Sequence, residues 1–375
     1  MIKTDVIIIG AGLMGCSTAL QLAKRGIKCH VLEKDNPGRH ASGVNAGGLR
    51  QLNRAVAEIP LTVEASKMWK NIQTIVDDDC DVKLQGQVRV AESQADLNLL
   101  EKRESLVRKL GYHHEEMIGR DELYRLIPDL SPHCVGALIS REDGFARPYH
   151  VTTAFRQKAE KLGVIFHTQS KAIHCEPIQN NWKITTSDEV FYCDILMNCA
   201  GAWANQVAKE LNEPVPLKIS APMLMITARV KHFLNVVVGV ASRKLSFKQM
   251  QNGTLLIGGA HMAKYNPDDE STEIDFQQLA VSAKTVIDLF PHLKNVSIVR
   301  TWAGLEAFMP DNIPVISKSK NHDNAYHAFG FSAHGFQLSP VIGCIMADLV
   351  TEGKTHLPIE PFSIKRFGND DSAIN

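Results

Sequence analysis

The chain has no run of consecutive apolar residues approaching the ~18 that a membrane-spanning helix requires, so no transmembrane segment is expected. Its eight cysteines, at positions 16, 29, 80, 134, 175, 193, 199 and 344, include no C-x-x-C pair. That scatter excludes a zinc ribbon, an iron–sulfur cluster and a disulfide framework, and it points to small buried residues in a reducing cytoplasm. Neither sign of charge is in excess, since 41 Lys and Arg face 41 Asp and Glu. Phosphate backbones are bound by concentrated positive charge, so nucleic acid is not expected as the main partner. Internal repeats, low-complexity segments, a nucleophilic triad and a metal-ligand cluster are also missing. Glycines interrupt the apolar start too soon for a secretory signal, which predicts a mature N-terminus and a cytoplasmic protein. Only Gly368 to Asn375 reads as a frayed tail.

What is present is concentrated first in Asp5 to Glu33, DVIIIGAGLMGCSTALQLAKRGIKCHVLE. The short apolar run Val6 to Ile9 predicts a strand buried on both faces. Gly10, Gly12 and Gly15 follow with G-x-G-x-x-G spacing: a tight turn, a close approach of bare backbone to a pyrophosphate, and close packing of the next helix on the strand. A helix from Leu13 to Arg25 would aim its N-terminus at the diphosphate. A second strand, Cys29 to Leu32, ends in Glu33, a carboxylate suited to the two hydroxyls of an adenosine ribose. An acid there favours FAD or NAD over NADP.

The 375 residues predict two domains. One is a Rossmann-like α/β nucleotide-binding domain from residues 1–86, 143–215 and 301–375. The other is an α+β substrate domain on a mixed or antiparallel sheet, from 87–142 and 216–300. In the first, the polar loop Asn36 to Gly48 is held by an amphipathic helix over Leu61 to Val76, and a second strand-to-glycine junction lies at Cys193 to Ala204. In the second, a charged helix over Gln94 to Leu110, a helix near Arg120 to Ile127 and a strand-rich stretch Lys218 to Gly259 are expected. Within that stretch Leu245, Phe247 and Gln249 alternate with Ser246, Lys248 and Met250. A third strand, glycine loop and helix unit follows Ala325.

GAGLMG with Glu33, ASGVNAGGLR, DGFARP, CAGAW, RTWAGLEAFMPDNIPVI and GFSAHGFQLSP, in this order over nearly the whole chain, resemble the FAD-dependent D-amino-acid oxidase family. The resemblance is to its glycine oxidase and sarcosine oxidase branch. FSAHGFQLSP and WAGLEAFMPD look most like the β-type subunits of opine oxidases, D-hydroxyproline or proline dehydrogenases and hydrogen cyanide synthases. It implies that Gly10, Gly12, Gly15, Glu33 and Lys34 hold the ADP half of FAD. Ser42, Asn45, Ala46, Gly47, Gly48 and Leu49 would line the flavin, with Gly201 and Trp203. Gly304, Gly330, His334, Gly335, Phe336 and Gln337 would meet its ring or ribityl chain. Non-covalent FAD is expected, because Arg300 to Pro314 lacks the cysteine to which monomeric sarcosine oxidases attach it.

The reaction implied is removal of a hydride equivalent from the carbon beside an amine, then hydrolysis of the imine. The electron acceptor would be O2, a quinone or a partner subunit, the last implying a hetero-oligomer. Where glycine oxidase-like members carry an arginine after W-A-G-L, this chain has Glu306. The substrate carboxylate must therefore bind elsewhere, and Arg50, a bidentate fork directly after the flavin loop, is the first candidate. Glu306 is expected either to meet a cationic part of the substrate or to pair with Arg300 or Arg50. His261 is a third candidate, with Tyr265 and Met223 as pocket lining. Two other readings are a flavin hydroxyacid or glycerol-3-phosphate dehydrogenase and a non-catalytic FAD-binding subunit. A phosphate would need clustered cations, of which Arg50 alone is placed.

Overall fold

The computed structural model describes residues 2–368; most of the predicted tail lies outside them. The apolar N-terminal run forms the strand Ile2–Ile9, with Val6, Ile7 and Ile8 fully inaccessible to water. Burial of each such side chain stabilises the fold by about 1.5–3 kcal/mol. This strand sits between parallel partners, Val190–Asn198 on one side and Cys29–Leu32 on the other, with Ala325–Phe329 and Ile165–His167 next outward. Val315–Lys318 closes one edge antiparallel. The hairpin His174–Ile178 and Asn181–Thr185 adds to the lower half of Val190–Asn198. The helices Leu13–Lys24, Ile59–Lys70, Pro148–Lys161 and Gly335–Glu352 pack one face. The hairpin and the helix Ala204–Glu210 help cover the other.

The second sheet is mixed and has eleven strands. Its parallel pair, Gln87–Ala91 with Val237–Val240, joins the segment after residue 86 to the one after residue 216. Gln87–Ala91 also pairs antiparallel with Gly136–Ser140, which pairs with Glu116–Gly119. Lys218–Thr227 pairs with Leu255–Gly258, Met262–Asn266, Ile298–Ala303 and Glu306–Phe308. The expected boundary at residue 301 therefore falls inside a strand of this sheet. The helix Phe276–Leu289, capped by the Asp275 carboxylate accepting from the Gln278 N–H at 3.1 Å, covers one face.

Three local expectations need correction. The helix expected over Leu61 to Val76 is two, Ile59–Lys70 and Ile72–Val76, because Asn71 leaves helical geometry and its amide donates to the Lys67 carbonyl instead. Gly136–Ser140, buried at every position, shows no alternation and was not foreseen. On Ser246–Gln249 the supposed polar side is buried too, with Lys248 only 2% exposed.

Candidate functional site

Between the two sheets lies a cavity of about 1000 Å³, large enough for a dinucleotide with a small substrate beside it. Its first wall is the opening βαβ unit. Gly10, at φ +102°, turns the chain where a Cβ would stand 2.5 Å from the Cys199 carbonyl. Gly15 does not line the cavity; a Cβ there would fall 1.9 Å from the Gly10 oxygen, so it seats the helix Leu13–Lys24 on the strand. Gly12 begins that helix without a capping side chain of its own, and the Ser42 hydroxyl accepts from the Leu13 N–H at 2.8 Å. Glu33, 8% exposed and facing the cavity, accepts from the Ala11 and Asp35 N–H groups at 2.8 and 2.9 Å. Those two bonds fix the carboxylate and leave lone pairs for ribose hydroxyls.

Lys34 lies over the Trp203 ring, 3.6 Å from its centroid, and both side chains bond Glu270, from the loop between Met262–Asn266 and Ser271–Glu273. His40 packs on the same ring at 4.6 Å. Trp203, expected at the flavin, thus stands with the residue that follows the ribose carboxylate. Gly48 and Gly201 line the cavity, and nothing lies within 4 Å of where a Cβ would project from either. Open space beside bare backbone at both glycines, a helix start whose N-cap residue is glycine and a fixed ribose acid together fit FAD.

Ser42, Asn45, Ala46, Gly304, Gly330, Gly335 and Phe336 also face the cavity. Four expected contacts do not. Gly47, at φ +68°, is pressed against the Ala146 carbonyl, and Leu49 is 2% exposed in the core. His334 bonds through Nδ1 to the buried Glu58 carboxylate at 2.8 Å. Burial, aided by the charge of Arg54, pulls its imidazole down to about 4. Gln337 is buried and donates to the Thr62 carbonyl at 3.3 Å. His261 is likewise turned away: its Nδ1 meets Gln278 Oε1 at 3.1 Å, and it does not line the cavity. Met223 does line it, whereas Tyr265 packs in a small cluster with Trp203 and Leu305.

Glu306 faces the cavity, where its Oε1 accepts from the Ala333 N–H at 2.7 Å. Burial pushes its carboxyl up to about 7, and that single hydrogen bond offsets the rise only in part. Among the described residues it has no ion pair, so the expected pairing with Arg300 or Arg50 is not made. Arg50 also lines the cavity; its Nη1 donates to the Leu52 and Asn53 carbonyls at 2.7 and 3.3 Å. Four further arginines share this lining: Arg39 and Arg243, which are ion-paired with Asp35 and with Glu92 and Asp288, and two without an ion pair among the described residues, Arg54, four residues on, and Arg89, between Val88 and Val90. A lone arginine inside an apolar strand was the available signal for Arg89. Among the described residues no three His, Cys, Asp or Glu side chains converge as metal ligands, and no helix is long and apolar enough to cross a membrane.

A family model described as DAO, FAD dependent oxidoreductase, matches residues 5–349. The chain belongs to this family. It is 24% identical over 419 residues to the hydrogen cyanide synthase subunit HcnC of Pseudomonas aeruginosa, covering 99% of this chain and 98% of that one. It is 25% identical over 378 residues to a subunit of the opine oxidase of Rhizobium meliloti, covering 98% of each. The crystal structure of L-proline dehydrogenase from P. horikoshii superposes with a TM-score of 0.90 at 25% identity over 98% of both chains. As a DAO-family protein the chain is an FAD-dependent oxidoreductase, and the cavity between its sheets is the candidate active site.

Proposed function

We propose that the protein oxidises the C–N bond of a small amino acid or secondary amine, of the glycine, sarcosine, proline, D-amino-acid or opine type. The observation that carries this reading is the presence, in one cavity, of a guanidinium free of any carboxylate partner, Arg50, and a half-buried carboxyl poised near neutrality, Glu306. Bound FAD supplies the two-electron acceptor. Arg50 presents the fork that holds the substrate carboxylate and fixes the α-carbon. Glu306, ionised above about pH 7, takes the proton that the substrate ammonium must lose before its lone pair can assist C–H cleavage. The Ala333 N–H at 2.7 Å keeps the Glu306 Oε1 oriented for that transfer. Water then adds to the released imine to give a carbonyl compound and an amine or ammonia, the two remaining in one molecule where the nitrogen lies in a ring.

The names of the relatives support an amine substrate, and two of them are subunits of larger enzymes. That favours electron transfer to a partner chain or a quinone over O2. FAD is held without a covalent bond in this reading, and acid should release it intact. The reaction is tested by product analysis with a dye acceptor and with air. One carbonyl group and one amine or ammonia per two electrons, joined in one product for a cyclic amine, are expected from a member of the amine panel. Turnover of 2-hydroxyacids or glycerol 3-phosphate alone would overturn the reading.

A further inference from the structure

Arg50, Arg54 and Arg89 enter one cavity from the loop after Leu49 and from the strand Gln87–Ala91. Each is anchored along one edge to backbone oxygen. Arg50 donates from Nη1 to Leu52 and Asn53, Arg54 from Nε to the Arg50 carbonyl at 2.7 Å, and Arg89 from Nη2 to the Val240 and Ala241 carbonyls at 3.0 Å each. Among the described residues none of the three is in an ion pair. Arg54 is only 3% exposed, and its Nη1 is buried without a hydrogen-bond partner.

The carboxylates nearby are engaged elsewhere. Glu115 holds Arg103 through two bonds of 2.8 Å and the Asn53 N–H at 2.6 Å. Asp143 accepts from the Gln51 and Leu52 N–H groups and the Ser140 hydroxyl, and Glu58 pairs with His334 through Oε2, its Oε1 being buried without a hydrogen-bond partner. Glu58 and Asp143 temper the three positive charges at a distance but fill none of their forks. Burial and the charge of Arg50 pull Arg54 down to about 9, against the opposing charges of Glu58 and Asp143.

One carboxylate fills one guanidinium fork, and of the five guanidinium groups lining this cavity three, among the described residues, have no ion pair, those of Arg39 and Arg243 being held by Asp35 and by Glu92 and Asp288. Resting on the amine reading above, we infer that the substrate carries a second carboxylate, as in an amino acid whose nitrogen bears a carboxyalkyl group, and that Arg54 and Arg89 bind it. The site thus selects an iminodicarboxylate over sarcosine or proline.

The test uses the FAD-loaded enzyme and two probes that lack nitrogen and leave the flavin oxidised, thiodiacetate and methylthioacetate, with binding read from the visible flavin spectrum. Thiodiacetate should bind about 10- to 100-fold tighter, and Arg54→Gln and Arg89→Gln should each cut that preference about tenfold. If Arg54→Gln fails to retain FAD, Arg89→Gln carries the comparison. Equal binding of the two probes overturns the inference, as does a preference unchanged in the FAD-retaining variants. Tighter binding of glycerol 3-phosphate or inorganic phosphate than of thiodiacetate also overturns it, in favour of a phosphate substrate. A thiodiacetate preference in an enzyme that no amine reduces would sustain the dicarboxylate site and sink the amine reading alone.

Discussion

Replacing Glu306 with Gln keeps an oxygen to accept from the Ala333 N–H and removes the ionisable proton. In the folded protein burial raises this carboxyl from 4.5 to about 7. The folded state therefore binds the proton more tightly than the unfolded chain does, and stability falls as pH rises from about 4.5 to about 7. The full difference corresponds to a ceiling of about 3 kcal/mol. Glu306 opens onto the cavity, and water there screens the charge, so about 1–2 kcal/mol is the realistic size. Thermal unfolding of FAD-loaded wild type and Glu306→Gln should give similar midpoints near pH 5. By pH 8 the variant should unfold roughly 1–3 °C higher. The other titrating groups are common to both proteins, so the difference isolates this one. The same substitution should slow flavin reduction by about 10²- to 10⁴-fold and abolish the rise in rate through pH 7. A midpoint difference that stays flat from pH 5 to 8.5 would refute the environment assigned to Glu306. An undiminished reduction rate would refute its role as the proton acceptor.

Arg50→Gln should weaken binding of carboxylate-bearing substrates by about 10²-fold, measured as the concentration that half-bleaches the flavin, with a smaller effect on FAD content. Gly15→Ala would place a Cβ 1.9 Å from the Gly10 oxygen; the helix must shift off the strand, so the purified protein should lose most of its FAD and several degrees of midpoint, read from the 450 nm absorbance and a melting curve. Lys248 is buried with its ammonium bonded to the Ala46 carbonyl, and desolvation lowers it to about 7. The unfolded chain holds that proton more tightly, so wild-type stability should rise relative to Lys248→Met between about pH 7 and 10 in paired melting curves. His334→Asn should remove a loss of stability that wild type shows as pH falls from about 6.5 toward 4, because burial keeps this imidazole neutral when folded.

The nucleotide-binding unit was legible because its signal is local: strand, glycine turn, helix and acid follow one another within Asp5 to Glu33, and each step is dictated by backbone geometry that only glycine or an apolar run supplies. The convergence of Ser42, Gly48, Gly201, Gly304 and Gly330 on one cavity was implied by the family resemblance, and of these Gly201 and Gly330 also stand at strand-to-glycine junctions like the first. Arg54 and Arg89 were not legible, since they reach one cavity from separate parts of the chain: Arg54 from the loop after Leu49, and Arg89 from a strand whose partner, Val237–Val240, supplies a carbonyl that anchors its guanidinium. The side chain of His334 is likewise set by a residue far away in the chain: Glu58 claims it from across the fold. Lys248 shows the limit of alternation as a guide, because a strand covered on both faces buries whatever residue stands there.

The central claim, oxidation of an amine at this flavin, is met most directly by mixing the purified yellow protein anaerobically with glycine, sarcosine, proline, D-hydroxyproline, D-amino acids and opines and following the visible spectrum. Complete bleaching by at least one amine is predicted, with colour returning slowly in air and rapidly with a quinone. A flavin that every amine leaves oxidised, while a 2-hydroxyacid or glycerol 3-phosphate bleaches it, would contradict the account.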